Sequence, residues 1–184
     1  MPDQQQVPSE VYATFCDSIT QDSVKRIFGS LSFATTNNVQ HIHLLLQSMG
    51  GSVGDGICLY NFLKTFPIEL TVYNCGSVAS IAVLPYIAAS KRKTSAGATF
   101  MIHRTTGSAQ PTSATRLHSL AETVVLDDKR TEAILRKHIK LSDEEWAALD
   151  KQDLWFSAEE AVKAGFADEI GDFSPPKGSA IYAI

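Results

Sequence analysis

The chain has 184 residues, 44% of them hydrophobic and 20% charged, which suits one domain with a substantial core. Its net charge of −4 offers no basic footprint for nucleic acid, and its longest apolar run, 81–89 with one proline, is far too short to cross a membrane. Three cysteines, Cys16, Cys58 and Cys75, match neither a disulfide framework nor a CxxC metal motif. No secretory signal opens the chain, so a cytoplasmic location is the expectation.

In chain order, residues 1–8 (MPDQQQVP) are polar with two prolines and predict a loose N-terminus, taken as 1–10. Residues 11–17 predict a short strand, and 18–36 a helix opened by Ser or Thr. HIHLLLQS (41–48) is β-type with an apolar end, the pattern of a buried central strand. A glycine turn then feeds an amphipathic helix within 49–66, and IELTVYNC (68–75) predicts another strand. GSVAS leads into an apolar helix reaching Ser90, and ATFMIHR (98–104) predicts a third strong strand.

This alternation implies an α/β fold with βαβ crossovers and a largely parallel sheet. Both the glycine turn and the small-residue turn follow a strand and precede a helix. They therefore lie at the carboxyl edge of the sheet, where open α/β sheets place their sites.

Over 114–139, Leu117, Leu120, Val124, Thr131, Ile134 and Leu135 recur at helical spacing. Some 26 residues make a helix about 39 Å long, about the width of a domain of this size. One end is expected to project and pack on another subunit; packing across the chain's own sheet is the alternative. Ser142 with Glu145, and Ser157 with Glu160, form capping boxes that start two short helices, the second ending at Gly165. Asp153, beside Leu154, Trp155 and Phe156, is expected to be withdrawn from water and to need a partner.

Gly50, Gly51, Gly54 and Gly56 fit neither GxGxxG nor a P-loop. Paired glycines allow a backbone N–H to face a developing negative charge, or they simply form a tight turn. Ser80 stands where strand gives way to helix, with the Ile81 N–H pointing into the same space. Its hydroxyl needs a neighbouring base to become a nucleophile, and Ser77 or Ser80 as a plain helix cap is the other reading. His103 ends an apolar strand, either as a core group or as a base delivered to the edge that holds Ser80. An imidazole N–H would suit Asp153.

His41 and His43 alternate on one strand face. With no carboxylate or cysteine cluster accompanying them, they read as surface residues rather than metal ligands. His118 and His138 read as helix-surface residues and Cys75 as a small packed one. No metal or cofactor is expected.

Four blocks together resemble the ClpP-type serine peptidases, the proteolytic subunits of Clp. SMGGSV (48–53) is similar to the family's SPGGSV, GSVASIA (76–82) to its GQAAS-M-G, and MIHRT (101–105) to its MIHQP. DLWFSAEEA (153–161), with Gly165 and Asp168, matches its acidic block. The blocks keep the family's order and cover 40–172. The resemblance implies a ClpP/crotonase-like fold of repeated ββα units winding as a spiral, in one domain over 1–184. It also implies a protruding handle helix within about 105–140 and a tail over 173–184.

It further implies that Ser80 is the nucleophile, His103 the general base and Asp153 the group orienting the imidazole, with backbone N–H groups of Gly51 and Ile81 as the oxyanion hole. Substrates would be peptides or unfolded proteins, bound extended inside heptameric or stacked rings of identical subunits. Met49, Ile81 and Arg104-Thr105 depart from the family's blocks. The short N-terminus lacks room for the family's axial loop and first helix, implying a peptidase acting without a normal AAA+ Clp ATPase. Three other readings are an inactive ClpP-like subunit, an acyl-CoA hydratase of the same architecture, and a Ser-Lys peptidase using Lys91 or Lys93.

Overall fold

Alternating burial along Glu10–Cys16 makes β1, and the same alternation along His41–Gln47 makes β2. The two pair in parallel from Glu10↔His41 to Cys16↔Gln47. Between them runs α1 (Gln21–Thr36), started by a reciprocal cap in which Thr20 and Ser23 each accept the other's backbone N–H. The computed structural model describes residues 7–184; of the loose segment expected over 1–10, residues 1–6 lie outside the described residues. Residues 9–10 are not loose, since the Ser9 carbonyl accepts from the Gln40 and His41 N–H groups and Glu10 opens β1.

Next come α2 (Val53–Leu63), β3 (Glu69–Asn74), β4 (Ser77–Ala79), a single 3-10 turn at Ser80–Ala82, and α3 (Val83–Ile87). Then follow β5 (Lys91–Thr94), β6 (Thr99–Ile102), α4 (Ala114–His138), α5 (Asp143–Ala148), β7 (Leu154–Phe156), α6 (Ala158–Ala164), β8 (Glu169–Ile170) and β9 (Ile181–Ala183). Two strands and a helix repeat as β3–β4–α3 and β5–β6–α4. The first strand of each repeat enters a parallel six-stranded sheet, ordered β8-β5-β3-β2-β1-β9. The second enters a three-stranded sheet, β4-β6-β7, in which β7 is antiparallel.

The sheets join where β2 runs on into Ser48. Its N–H donates to the Ser77 carbonyl at 3.1 Å, and its carbonyl accepts from the Ala79 N–H at 2.9 Å. Phe15, Ile19, Tyr86, Phe100 and Phe166 are fully buried, and Phe100 and Phe166 stand 5.4 Å apart, centroid to centroid.

Sequence reading misses β4 and β5, and the helix expected to reach Ser90 ends at Ile87. The segment Lys91–Thr94 hides its strand character behind long cationic side chains. Lys91 Nζ lies 2.6 Å from Glu69 and Lys93 Nζ 2.8 Å from Glu169, while Arg92 turns to Asp168 and the Gly165 carbonyl. The tail, which carried no structural expectation, adds β9 beside β1, and the Ile184 N–H donates to the Thr14 carbonyl at 3.0 Å. Helix α4 projects as expected: of its 25 residues only Leu135 is buried, so it does not pack across the sheet. No helix among the described residues is long and apolar enough to cross a membrane.

Candidate active site

The carboxyl edge collects the candidate groups because three parallel strands deliver them there. β4 pairs with β6 up to Ala79↔Met101, so the chain continues into Ser80 on one strand and Ile102-His103 on the other. Ser80 Oγ lies 2.8 Å from His103 Nε2. Ser80 is also one of two non-glycine residues at positive φ among the described residues, at 56°, a conformation that costs free energy and persists where packing enforces it. The turn throws the hydroxyl out of the line of the strand, toward the histidine. Ser80 therefore does not cap the helix that follows: the 3-10 turn has no side-chain cap.

The glycine turn approaches from the other side. Gly50 has φ 104°, and a Cβ there would stand 2.6 Å from Ser80 Cβ, so the close contact excludes any side chain. Gly51 has φ 153°, and a Cβ there would meet the Ile19 carbonyl oxygen at 2.1 Å. Ile19 donates to the Gly50 carbonyl and accepts from the Ser52 N–H, each at 2.8 Å, which leaves the Gly51 N–H outside that ladder. A cavity of about 70 Å³ is lined by Gly51, Ser80, Ile81, His103 and Thr105 among others. Gly51, Ser80, Ile81 and His103, all singled out from the sequence, thus meet at one opening.

Asp153 arrives on the chain entering β7. Its Oδ1 lies 3.7 Å from His103 Nδ1, and its side chain is 52% exposed. The expected withdrawal from water is not found. Alternation along β7 places Asp153 on the side of Trp155, itself 55% exposed, while Phe156 turns into the core. The carboxylate faces the imidazole without burial around it.

A profile of the Clp protease family matches residues 4–173. The chain belongs to the Clp protease family. Proteolytic subunit 1 of the ATP-dependent Clp protease from Streptomyces avermitilis is 30% identical over 131 residues, 70% of this chain and 60% of that protein. The proteolytic subunit from Lactococcus lactis subsp. cremoris is 30% identical over 139 residues, 73% of this chain and 69% of that protein. Proteolytic subunit 2 from Pseudomonas aeruginosa is 25% identical over 154 residues, covering 83% and 76%. A solved ClpP1 mutant from Listeria monocytogenes superposes with a TM-score of 0.76 at 22% identity, covering 90% of this chain and 92% of that one. That likeness shows the fold: the repeated ββα spiral is the ClpP fold.

Within this Clp-family chain, several positioning groups escape sequence reading. Asn74, fully buried, donates to the Thr99 carbonyl at 2.8 Å and accepts from the Gly76 N–H at 3.1 Å, tying the turn before β4 to the start of β6. Arg104, where the family's block reads Gln, bonds Glu132 on α4 at 2.5 Å and Asp150 at 2.8 Å. The Thr105 N–H donates to Asp128 at 2.6 Å. An exposed-looking Arg-Thr pair and acidic residues 23–46 positions away carry no sequence signal that they meet.

Other readings change. Lys91 and Lys93 are held by carboxylates in β5, and Glu169 raises the Lys93 pKa, the wrong direction for a base. Neither lysine lines the opening at Ser80, whose hydroxyl meets His103 instead. Cys75 is exposed rather than packed. His118 is exposed as read, but His138 is half-buried, with Nε2 2.9 Å from the Tyr60 hydroxyl. His41 and His43 do have a carboxylate beside them, Glu10, delivered by the β1–β2 register.

Proposed function

We propose that this protein is a serine endopeptidase acting through Ser80, His103 and Asp153 within a ring-type assembly. The observation that carries the proposal is the 2.8 Å contact between Ser80 Oγ and His103 Nε2 at a serine held at φ 56°. His103 Nε2, unprotonated, accepts the Ser80 proton as Oγ bonds the carbonyl carbon of a peptide. The carbonyl oxygen becomes an oxyanion, received by the Gly51 and Ile81 N–H groups. The imidazolium then gives its proton to the leaving amine, the C–N bond breaks, and an acyl-Ser80 ester remains. Water, deprotonated by the same imidazole, hydrolyses that ester and returns Ser80 to its hydroxyl form. Asp153 orients the ring through Nδ1–H and offsets the imidazolium charge.

Every reacting group comes from one chain, so short peptides need no nucleotide hydrolysis to be cut. The relatives' names carry "ATP-dependent"; cleavage of short peptides by this chain needs no AAA+ Clp ATPase. The exposed apolar residues of α4, Leu117, Val125 and Leu126, supply the surface through which subunits associate.

The test treats the intact protein with a fluorophosphonate probe and maps the adduct by mass spectrometry, beside His103→Ala. Labelling at Ser80, reduced by about 10³-fold or more in rate without the histidine, is the expected result. A native oligomer that takes no label would overturn the active-peptidase reading in favour of an inactive subunit.

A further inference from the structure

A second constellation lies at the opposite end of the large sheet. The parallel register sets Glu10 of β1 directly against His41 of β2, and His43 follows two residues on, on the same face. Glu10 Oε1 lies 2.5 Å from His43 Nε2 and 3.8 Å from His41 Nδ1, and the three candidate ligand atoms lie within 4.8 Å of one another. The two imidazole rings lean together, with centroids 4.0 Å apart.

What separates this cluster from a chance ion pair is the far side of each ring. His43 Nδ1 lies 2.8 Å from the Tyr73 hydroxyl, and His41 Nε2 lies 2.8 Å from the Thr71 hydroxyl, both on β3. Each histidine thus has one nitrogen fixed by a hydroxyl and the other turned to a shared carboxylate. That is how metal-binding histidines are oriented, with an outer hydrogen bond setting tautomer and ring angle. Tyr12 stacks on His43 at 4.6 Å and limits ring rotation. The neighbouring carboxylate Glu69, opposite His41 in the register, is committed to Lys91 at 2.6 Å, leaving Glu10 as the ligand.

We infer that Glu10, His41 and His43 form a binding site for a divalent transition-metal ion of the zinc class. Two imidazoles and one carboxylate suit Zn²⁺, Co²⁺ or Ni²⁺ and disfavour Ca²⁺ and Mg²⁺, which take oxygen ligands. Bonds of about 2.0–2.1 Å to a tetrahedral ion place ligands about 3.3 Å apart. The Glu10–His43 contact opens to that spacing as the ion replaces the proton between them. The 3.8 Å contact closes slightly. The Glu10 side chain, 51% exposed, swings freely enough for both, and its open side leaves the fourth position to water. The ion joins β1 to β2 at the end remote from Ser80, so it acts by bracing the N-terminal strand rather than by entering the peptidase chemistry.

The experiment uses the purified 184-residue chain, stripped with a chelator and titrated with Co²⁺ while its visible absorption is followed. One Co²⁺ per chain is expected, displaced by Zn²⁺, together with a higher melting temperature for the loaded protein. Glu10→Gln, at a half-exposed side chain, and His43→Asn, a smaller polar replacement, should each weaken binding tenfold or more. Tyr73→Phe should weaken it by about tenfold through the lost outer bond. His118→Ala, which removes the exposed histidine 3.4 Å from Glu122, and Ser80→Ala should leave it unchanged. Absence of the Co²⁺ band, binding indifferent to Glu10→Gln and His43→Asn, or binding lost with His118→Ala would overturn the assignment.

Discussion

Gly50 and Asp153 set the finest constraints on the proposed chemistry. A Cβ at position 50 would overlap Ser80 Cβ, so Gly50→Ala must shift one backbone or the other by several tenths of an ångström. A misplacement of about 1 Å can reduce a rate about 10²-fold, so this smaller shift should lower peptidase activity by up to about that factor. Strain at the positive φ should also lower stability by about 1–3 kcal/mol, read as a lower denaturation midpoint. Asp153 raises a different question, because a half-exposed carboxylate at 3.7 Å orients the imidazole less firmly than a buried one. Asp153→Asn should lower kcat/KM by about 10²-fold, less than the loss in His103→Ala. Equal losses in the two variants would mean that Asp153 is as indispensable as the base.

At the scale of elements, α4 both projects and anchors. Arg104 leaves the histidine's strand and bridges Glu132 of α4 to Asp150 beyond α5. Burial by itself would raise the Glu132 carboxyl, but the bonds from Arg104 and Arg136 outweigh it and hold it below the ordinary carboxylate range. Arg104→Lys keeps the charge but loses the two-sided fork, so it should cost roughly 1–2 kcal/mol of stability and slow peptide cleavage. Unchanged melting and turnover would show that the His103 loop does not depend on the helix.

The far end of α4 carries a pH response. Burial, helped by Arg92, Lys137 and Lys64, holds His138 below its ordinary 6.5. The unfolded chain then binds the proton more readily than the folded one. The stability contributed by the neutral ring is full above that ordinary value and is lost as pH falls through the depressed folded value. Melting temperature should therefore drop as pH falls below the ordinary 6.5, and His138→Gln should flatten that slope. An unaltered slope in the variant would locate the acid lability elsewhere.

For the whole molecule, the exposed Val125 and Leu126, 51% and 59% accessible, define a helix that leaves much of its apolar surface open in the single chain. Leu126→Glu should shift the protein to smaller species in sedimentation or mass photometry. Because Ser80, His103, Asp153, Gly51 and Ile81 all belong to one chain, the Ser80–His103 contact does not require the partner subunit. Loss of activity on dissociation would then report distortion of α4 and the loop anchored to it. An oligomer unchanged by Leu126→Glu would remove the handle from the association surface.

The residues of the candidate site, the strands β2 and β6 and the long projecting helix were legible in the sequence, whereas β4, which leads into Ser80, was not. Each rests on local signals: small residues at a strand end, apolar periodicity, and motif blocks in a set order. Local signals also gave the capping boxes at Ser142 and Ser157, which the structure forms with both bonds in place. What only the tertiary structure decided is what the register brings together across long separations. Glu10 meets His41 and His43 because β1 and β2 pair in parallel, and Arg104 meets Glu132 and Asp150 because α4 folds back along the loop. β5 stays hidden because its outward lysines find carboxylates on both neighbouring strands, and β9 because a three-residue segment becomes a strand only beside an open edge. Periodicity and turn chemistry act over a few residues and are written in the chain. Pairing partners, burial and the exposure of Asp153 depend on which distant surfaces the packed chain puts side by side.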